Sequence, residues 1–439
     1  MSPPKEIGIA LLGLGNVGRG SFRILQEHAQ DIERRLGARV RVRHILVKER
    51  GKPRPDGAHE LLTTDPERVF SDPDVSVVVE LLGGLSPARE LLLRAIDSGR
   101  HVVTANKALL AAHGEELFSL ALAKGVDLHF EGAVCGGIPI IRTLREALAS
   151  DRIDALFGIV NGTTNFILSA MAEEGRSYEE ALGQAQELGF AEADPTLDVN
   201  GMDAAQKLLL LSQLAFSARL RLEQLSVEGI EGLRPIDFAL AKEFGYALKL
   251  LAVASRTEGG IEARVHPAFL PLKSPLAEVR GAFNAVLVQS VALGPSLFYG
   301  QGAGAMPTGS AVVADVIDIC RNRLAGVSGR LPMLCPPHLS DVPLRSASER
   351  EGPCYLRFTV IDEPGVLGRI ATVLGEKRVS IASIIQREPK EGESAATIVV
   401  FTHRAREADV LAAVHWIDQL KTTCARTRII RIEERVPLA

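Results

Sequence analysis

The chain has 439 residues, a length typical of about three domains. Apolar residues make up 46% of it and charged residues 24%, which is the composition of a folded globular protein and excludes disorder over most of the chain. The net charge of −4 and the aromatic content of 5% argue against a nucleic-acid-binding protein, because phosphates attract a basic surface and bases stack on aromatic side chains.

Apolar runs and cysteines indicate the compartment. No apolar run approaches the ~20 residues of a membrane helix, and the apolar stretch near the start is interrupted by Gly13 and Gly15, unlike a signal peptide. The five cysteines are scattered and never spaced as C-x-x-C, which is typical of free thiols in a reducing compartment. We therefore expect a cytoplasmic protein with no membrane partner.

The first third of the chain alternates β-branched runs with helical spacing. This order predicts an α/β fold with a Rossmann-like parallel sheet covered by helices on both faces. The predicted strands cover residues 7–12, 40–47, 75–82, 101–104 and 126–131, and the predicted helices cover 17–36, 85–98 and 108–124.

The remaining pattern predicts two further domains. An α+β domain follows, with strands at 246–256, 261–268 and 281–291 and helices at 201–221 and 308–324. Residues 326–352 are rich in proline and serine and are predicted to form a linker. After it come a strand at 355–361, a helix at 366–377, strands at 379–386 and 395–402, a helix at 407–420 and a strand at 427–432, with turns at 362–365 and 389–392. That order is ferredoxin-like.

A glycine-rich loop follows the first predicted strand. Its sequence is Gly13-Leu14-Gly15-Asn16-Val17-Gly18. Glycines there allow a tight turn and let backbone amides approach a pyrophosphate at a helix N-terminus. The context predicts dinucleotide binding. At the end of the second strand Glu49 suits the ribose hydroxyl of NAD, and Lys48 or Arg50 suits the 2′-phosphate of NADP. The basic surplus favours NADP or acceptance of both, and plain solvated loop charges are the alternative.

Three charged residues are candidates for catalysis. Lys107 follows a short strand, at the sheet edge that faces the cofactor crevice, or else it is a surface lysine at a helix start. Asp203 and Lys207 are four residues apart and share a helix face. A lysine held by a carboxylate in a cleft can pass a proton to a carbonyl oxygen. The alternative is an ordinary surface ion pair, and the nearby acidic loop lacks the spacing of a calcium site.

Several segments together resemble one enzyme family. Residues 185–207 resemble the signature of homoserine dehydrogenases, and so do 105–107, 131–139, 161–165 and 302–308. The chain from residue 355 resembles an ACT domain, the small ferredoxin-like regulatory module, with its turn at 362–367. The resemblance implies a nucleotide-binding domain at 1–134 completed by 304–325, a catalytic and dimerisation domain at 135–303, and an ACT domain at 353–435.

The resemblance also implies a reaction. The family interconverts L-homoserine and L-aspartate 4-semialdehyde with a nicotinamide cofactor, in threonine, methionine and isoleucine biosynthesis. It implies that Lys207 is the proton donor and that Lys107 contacts cofactor and substrate. Glu192 would bind the substrate ammonium, and Asp203 would contact the substrate and tune Lys207.

Cofactor, cation and effector residues follow from the same resemblance. Besides the glycine-rich loop and Lys107, Gly189 and Gly304 would approach the NADP or NAD cofactor. A monovalent cation, usually sodium, would be bound by Glu131 and the backbone carbonyls of Val134, Gly136 and Ile138. The ACT turn, with Asp362, Gly365, Val366 and Leu367, would bind an amino-acid effector, threonine, in a homodimer or homotetramer.

Two other functions stay open at this point. One is an acylating semialdehyde dehydrogenase with Cys135 as the nucleophile. The other is a non-enzymatic amino-acid sensor, in which the ACT domain does the binding. A sensor has no need of Lys107, Asp203 and Lys207 together.

Overall fold

The computed structural model describes residues 5–330, 334, 339–387 and 395–438. The N-terminal part contains β1 (Lys5–Leu12), α1 (Asn16–Glu27), α2 (Ala29–Leu36), β2 (Ala38–Leu46), β3 (Leu62–Thr63), α3 (Glu67–Phe70), β4 (Val75–Glu80), α4 (Ala88–Asp97), β5 (His101–Thr104), α5 (Lys107–Lys124) and β6 (Leu128–His129). Its six strands form a parallel sheet in the order β3-β2-β1-β4-β5-β6. The strand order reverses between β1 and β4, which opens a crevice at their carboxyl ends.

The middle part adds α6 (Ile140–Arg142), β7 (Ile153–Ile159), α7 (Gly162–Glu174), α8 (Tyr178–Glu187), α9 (Thr196–Val199), α10 (Met202–Phe216), β8 (Ser226–Val227), α11 (Pro235–Glu243), β9 (Tyr246–Thr257), β10 (Gly260–Pro271), β11 (Phe283–Ser290), β12 (Gly294–Gln301) and α12 (Ala305–Leu324). The last part adds β13 (Glu351–Gly352), β14 (Cys354–Ile361), α13 (Val366–Glu376), β15 (Ile381–Arg387), β16 (Ala395–Thr402), β17 (Ala405–Arg406), α14 (Glu407–Asp418) and β18 (Thr423–Ile432). No helix among the residues described is both long and apolar enough to cross a bilayer.

The middle and last parts share one mixed sheet. Its order is β12-β11-β7-β9-β10-β18-β14-β16-β15, with β8 paired to β10. The joint is a short parallel pairing in which Ala268 of β10 faces Arg431 of β18 and Phe269 faces Ile432. The ferredoxin-like unit is therefore attached to the middle domain through its sheet.

The helix α12 returns the chain to the N-terminal domain. Its Val312, Val316 and Ile319 lie in the same core as Ile9 and Phe22. Two glycines let α12 approach α1: a Cβ at Gly20 would stand 1.8 Å from the carbonyl oxygen of Ala305, and one at Gly309 would stand 2.7 Å from the amide of Ser21. The nucleotide-binding sheet is thus covered by a helix that follows the last strand of the middle domain in the chain.

Some predicted elements differ from the structure. The single helix predicted at 17–36 was wrong, because His28 leaves helical geometry and separates α1 from α2. The break lets Ile32 and Leu36 of α2 pack into the core of the sheet. The strand predicted at 126–131 is only Leu128–His129, since a 3-10 turn begins at Glu131. The helix predicted at 201–221 ends at Phe216. The strand β7 and the helices α7 and α8 were missed.

The predicted linker is partly described. Its residues 339–350 run along the middle domain, where Ile261 donates to the carbonyl of Pro343 at 2.9 Å and accepts from the amide of Arg345 at 2.8 Å. The rest of the linker around 331–338, apart from residue 334, and the turn predicted at 389–392 lie outside the described residues.

Candidate active site

Two lysines meet at one buried carboxylate. The ammonium of Lys207 donates to Asp203 Oδ2 at 2.7 Å, and Lys107 Nζ stands 3.1 Å from Asp203 Oδ1. Lys207 also donates to the backbone carbonyl of Val160 at 2.6 Å. Asp203 and Lys207 are each only 9% exposed, so the alternative of a surface ion pair is wrong. Lys107 keeps 31% of its side chain accessible and is the member of the trio nearest to solvent.

The elements explain this arrangement. Asp203 and Lys207 lie one turn apart on α10, which begins after Gly201 at φ +86°. Lys107 is the first residue of α5, whose N-cap Asn106 accepts from the amide of Leu109. The helices α5 and α10 pack on each other, which brings the lysine at the start of one to the first turn of the other.

Electrostatics keep Asp203 and Lys207 charged. Burial favours the neutral acid in Asp203, but Lys207 and Lys107 outweigh it and hold the pKa of Asp203 well below its usual range. Burial likewise favours the neutral amine in Lys207, but the Asp203 carboxylate outweighs it and raises the lysine pKa above 10.5. Asp203 and Lys207 therefore form a buried carboxylate–ammonium pair at neutral pH.

Two polar side chains that the sequence analysis gave no role complete the network. The amide of Asn161 donates to Asp203 Oδ2 at 2.8 Å and to Asp198 Oδ1 at 2.7 Å. Its oxygen accepts from the amide of Thr164 at 2.7 Å and so caps α7. Both positions lay within segments that resembled the family, and only the fold shows that they touch the catalytic candidates.

The thiol of Cys135 does not suit a nucleophile. It is fully buried, and burial raises its pKa to about 12. At neutral pH the group is therefore a thiol and not a thiolate, which removes the main support for an acylating dehydrogenase. The four described cysteines are all free.

The glycine-rich loop has the shape of a pyrophosphate cradle. Gly13 lies at φ +106°, and a Cβ there would stand 2.6 Å from the carbonyl oxygen of Leu81. Gly15 is exposed, has open space where a Cβ would be, and begins α1 without a side-chain cap or an acidic residue in the first turn. The α1 amides are thus available to an anion. Leu14 is buried, so only its backbone can face a ligand.

An arginine links this loop to the end of β2. Arg54 donates to the carbonyl of Leu14 at 3.1 Å and to the carbonyl of Glu49 at 2.9 Å. Its Nε is buried and has no partner among the described residues. Lys48, Glu49 and Arg50 are exposed. Arg54 is a further basic group beside the predicted ribose position, which the sequence analysis did not single out.

The structure brings some predicted residues near the loop and leaves others apart. Gly304 lies at φ +130° directly before α12, whose first residue touches α1. Gly189 lies at φ +75° in an exposed turn and has no hydrogen bond to the glycine-rich loop. Glu192 is exposed, and its carboxylate has no partner within the described part of the chain. It is not part of the lysine cluster in this state.

The predicted cation loop is tightly held. Both carboxylate oxygens of Glu131 accept backbone amides of α6, from Ile141 and Arg142, at 2.8 Å each. The carbonyl of Ile138 accepts from Ile140, also at 2.8 Å. No described residue donates a hydrogen bond to the carbonyls of Val134 and Gly136, so these two oxygens fit a cation with oxygen ligands. The described residues contain no cluster of three metal-binding side chains.

The predicted effector turn begins the first helix of the ferredoxin-like unit. Gly365 lies at φ +89° as the N-cap of α13, and the turn from Asp362 to Gly365 is exposed. Val366 is buried, and Leu367 packs against the same core. Asp362 accepts a long hydrogen bond of 3.4 Å from Gln386 of β15.

Comparison with known proteins agrees with this organisation. Family models match residues 13–131 (homoserine dehydrogenase, NAD binding domain), 139–317 (homoserine dehydrogenase) and 355–415 (ACT domain). A homoserine dehydrogenase of Pseudomonas aeruginosa is 44% identical, with 98% of this chain and 99% of the relative covered. The crystal structure of a homoserine dehydrogenase from Thiobacillus denitrificans has a TM-score of 0.90 and 45% identity, with 98% of both chains covered.

A more distant structure shows a bound cofactor. It is a hyperthermophilic archaeal homoserine dehydrogenase in complex with NADPH, with a TM-score of 0.60 and 27% identity over 72% of this chain and 97% of that one. In chain order, the family models cover the glycine-rich loop with Lys107, then Asp203 with Lys207, and then the ferredoxin-like unit. The chain therefore belongs to the homoserine dehydrogenase family, with an NAD-binding domain, a catalytic domain and a C-terminal ACT domain.

Proposed function

We propose that this chain reduces L-aspartate 4-semialdehyde to L-homoserine and catalyses the reverse reaction, with Lys207 as the proton donor. The observation that carries the proposal is the Asp203 carboxylate with a lysine ammonium on each oxygen, at 2.7 and 3.1 Å. When bound, the nicotinamide cofactor supplies the hydride to the aldehyde carbon. The protein's part is to place the aldehyde, stabilise the charge on its oxygen and deliver a proton.

Each member of the trio has a separate task in this proposal. Lys207 gives its proton to the developing alkoxide, while its bond to the Val160 carbonyl fixes the direction of the ammonium. Lys107, more accessible, adds a second positive charge near the oxygen and contacts the cofactor. Asp203 keeps Lys207 protonated and contacts the substrate. Glu192, whose carboxylate is exposed, binds the substrate ammonium.

The cofactor part of the proposal favours NADP over NAD. The glycine-rich loop holds the pyrophosphate, and Gly304 and Gly189 are the further glycines that approach the cofactor. Around the ribose, Arg54, Lys48 and Arg50 outnumber Glu49. The related archaeal enzyme was solved with NADPH, which supports the same choice.

We include a monovalent cation, sodium, in the proposal. The oxygens would come from the backbone of Val134, Gly136 and Ile138 and from Glu131. Since the Glu131 carboxylate already caps α6, the backbone carbonyls are the main ligands that we expect. The cation would fix the turn between β6 and α6, next to Cys135 and the lysine site.

The ACT domain adds regulation by an amino acid. We propose that threonine binds at the turn formed by Asp362, Gly365, Val366 and Leu367, in an enzyme of threonine, methionine and isoleucine biosynthesis in the cytoplasm. The shared sheet ends in the edge strands β12 and β15, and Leu297 and Tyr299 of β12 are exposed. Unpaired apolar edges favour association, which supports a homodimer or homotetramer. The domain boundaries proposed are 1–134 with 304–325, 135–303 and 353–435, joined by a linker at 326–352.

One assay tests the central proposal. NADPH oxidation is followed with aspartate 4-semialdehyde in sodium- and potassium-containing buffers, with and without L-threonine, for the wild type and Lys207→Met. We expect turnover in the wild type, suppression by threonine, and a kcat lowered roughly 10²–10⁴-fold in the variant. The exposed Lys242→Met is the matched control. Turnover unchanged in Lys207→Met would overturn the assignment, and a wild type inactive with both NADPH and NADH would overturn the reaction.

A further inference from the structure

Three arginines of the ACT domain hold one segment of the catalytic domain. We call Arg357, Arg428 and Arg431 the arginine clamp, and residues 228–232 the backing segment. Arg428 donates to the carbonyls of Gly229 and Glu231, both at 3.0 Å. Arg357 donates to the carbonyl of Gly232 at 2.8 Å, and Arg431 to Glu228 Oε1 at 2.6 Å.

The backing segment also packs against the loop before α10. The amide of Ile230 donates to the carbonyl of Val199 at 2.8 Å. A Cβ at Gly229 would stand 2.2 Å from the oxygen of Val199 and 2.6 Å from Cα of Asn200. The two backbones are therefore in direct contact, with no side chain between them. A shift of the backing segment by a few tenths of an ångström must displace Val199 and Asn200.

The loop that contacts the backing segment lies between two carboxylates of the catalytic site. Asp198 directly precedes Val199, and Asp203 lies in the first turn of α10, three residues after Asn200. Asn161 ties both carboxylates together. Any displacement of the loop therefore changes the placement of the carboxylate that holds Lys107 and Lys207.

Arg428 is the least anchored member of the clamp. Arg357 pairs with Asp237 at 2.7 Å, and Arg431 pairs with Glu407 and Glu228. Arg428 contacts only neutral carbonyls, and its Nε is buried without a partner among the described residues. Arg428 is half-buried, and the carboxylates of Glu228 and Asp237 act on it only through their charge, without a hydrogen bond to it. A cleft of about 1470 Å³ lies alongside it, between the ACT domain and the backing segment, and gives the side chain room to move.

We propose that Arg428 is a positioning residue for catalysis, through which the ACT domain sets the placement of Asp203 by way of Gly229 and Asn200. The arginine clamp holds or releases the whole backing segment together. Lys107 and Lys207 are aligned with Asp203 only while the segment is held. This inference rests on the proposed role of Asp203 and Lys207. It assigns the link between regulatory and catalytic domains to one side chain.

The test compares Arg428→Met with Arg426→Met in the full-length protein. Arg426 lies on the same strand and the same cleft, is exposed, and makes no hydrogen bond to a described residue. For Arg428→Met we expect a kcat lowered roughly tenfold or more, a nearly unchanged KM for NADPH, and faster backbone hydrogen exchange in peptide 195–204. We expect Arg426→Met to behave as the wild type, and Arg428→Lys to restore part of both effects, because an ammonium can hold one carbonyl.

The outcomes separate this inference from the proposed function. Wild-type kcat and exchange in Arg428→Met would overturn the positioning role. So would an effect of equal size in Arg426→Met. If exchange also rises throughout β14 and β18 in Arg428→Met, the ACT domain itself has loosened. The kcat and the exchange of peptide 195–204 in Arg428→Lys then decide: partial recovery of both supports the positioning role, and no recovery overturns it. Turnover retained by Lys207→Met would overturn the proposed function instead, whereas the exchange of peptide 195–204 does not depend on turnover.

Discussion

At the scale of single residues, the Asp203 carboxylate raises the pKa of Lys207, the proposed proton donor. It holds Lys207 at 2.7 Å and Lys107 at 3.1 Å in a buried site. Removing one partner from a buried ion pair leaves a charge without compensation, at a cost of about 3–5 kcal/mol. Lys207 then loses the charge that opposes burial, and burial favours the neutral amine.

We predict that Asp203→Asn shifts the pH dependence of aldehyde reduction. In the wild type the Asp203 carboxylate outweighs burial and raises the pKa of Lys207, so the proposed donor keeps its proton throughout the neutral range and loses it only in strongly alkaline solution. Without the carboxylate, burial and the charge of Lys107 lower the pKa, and the rate falls at a lower pH. The measurement is kcat against pH from 6 to 10.

The matched control for that profile is Asp198→Asn. It removes a neighbouring carboxylate, whose own pKa is raised by burial and by Asp203, and leaves the lysine pair intact. We expect its alkaline limb to shift far less than that of Asp203→Asn, because Asp198 is the smallest of the named contributions that raise the pKa of Lys207. If Asp203→Asn and the wild type lose activity at the same pH, the carboxylate does not set the state of Lys207.

A second residue-scale prediction concerns the buried thiol. Cys135→Ala removes a group whose pKa lies at about 12 and which no step of the proposed reaction uses. We expect most of the turnover to remain, with no phosphate-dependent acylating activity in either protein. Steady-state rates with and without phosphate check this, and complete loss in the variant would return Cys135 to the candidate nucleophiles.

At the scale of elements, the contact of α1 with α12 depends on glycine. A methyl group at Gly20 would stand 1.8 Å from a backbone oxygen of Ala305, which no side-chain rotation relieves. We predict that Gly20→Ala lowers the free energy of unfolding by about 1–3 kcal/mol or more and weakens NADPH binding, because α1 carries the glycine-rich loop. Denaturant unfolding and cofactor titration measure the two effects.

Gly183→Ala is the control for this prediction. Gly183 lies inside α8 with open space around it and without positive φ. Alanine is the better helix former there by about 0.5–1 kcal/mol, so we expect a small stabilisation. Equal effects of the two substitutions would contradict the packing argument.

Elements with a strong local signal could be predicted from the sequence. The apolar run at 75–82 predicted a buried strand, the alternation at 40–47 predicted a strand, and the glycine-rich loop predicted the turn after β1. The break at His28 could not be predicted, since neither glycine nor proline marks it and only the packing of Ile32 and Leu36 requires it. The strand predicted to reach Glu131 stops at His129, and the Glu131 carboxylate instead caps α6, ten residues further on, which is a contact that no local pattern contains.

In the candidate site, too, some features have a local sequence signal and others arise only from contacts made by the fold. Four-residue spacing predicted that Asp203 and Lys207 share a helix face, but their burial and the approach of Lys107 come from the packing of α10 on α5. Asn161 lies 42 residues before Asp203, and their contact was invisible in the spacing. The arginine clamp spans almost 200 residues of sequence between Gly229 and Arg428, so only the fold shows it.

At the scale of the whole molecule, the ACT domain is part of the catalytic sheet. Its β18 pairs with β10, and Arg264 of β10 donates to Glu433 just after β18 at 2.7 Å with both groups buried. We predict that a chain ending at residue 326 unfolds at a lower temperature than the full chain, since Arg264 loses one buried partner and the edge of β10 is exposed. Scanning calorimetry measures the difference.

The same truncation separates stability from regulation. We expect the shortened chain to lose any response of NADPH oxidation to L-threonine, because the effector turn is removed. An unchanged threonine response would place the effector site in the first 326 residues. An unchanged unfolding temperature would show that the pairing of β10 with β18 adds little to stability.

The return of α12 to the first sheet has a consequence for how this chain can be rearranged. Two separate stretches of backbone, near residues 134 and 304, cross between the nucleotide-binding and catalytic domains. The chain therefore joins the two domains at two places, and one hydrophobic core also includes residues of both. The cofactor domain also cannot be cut out as one piece. An exchange of cofactor specificity by domain grafting must therefore carry over α12 together with the first 130 or so residues, or leave the new sheet with one face uncovered.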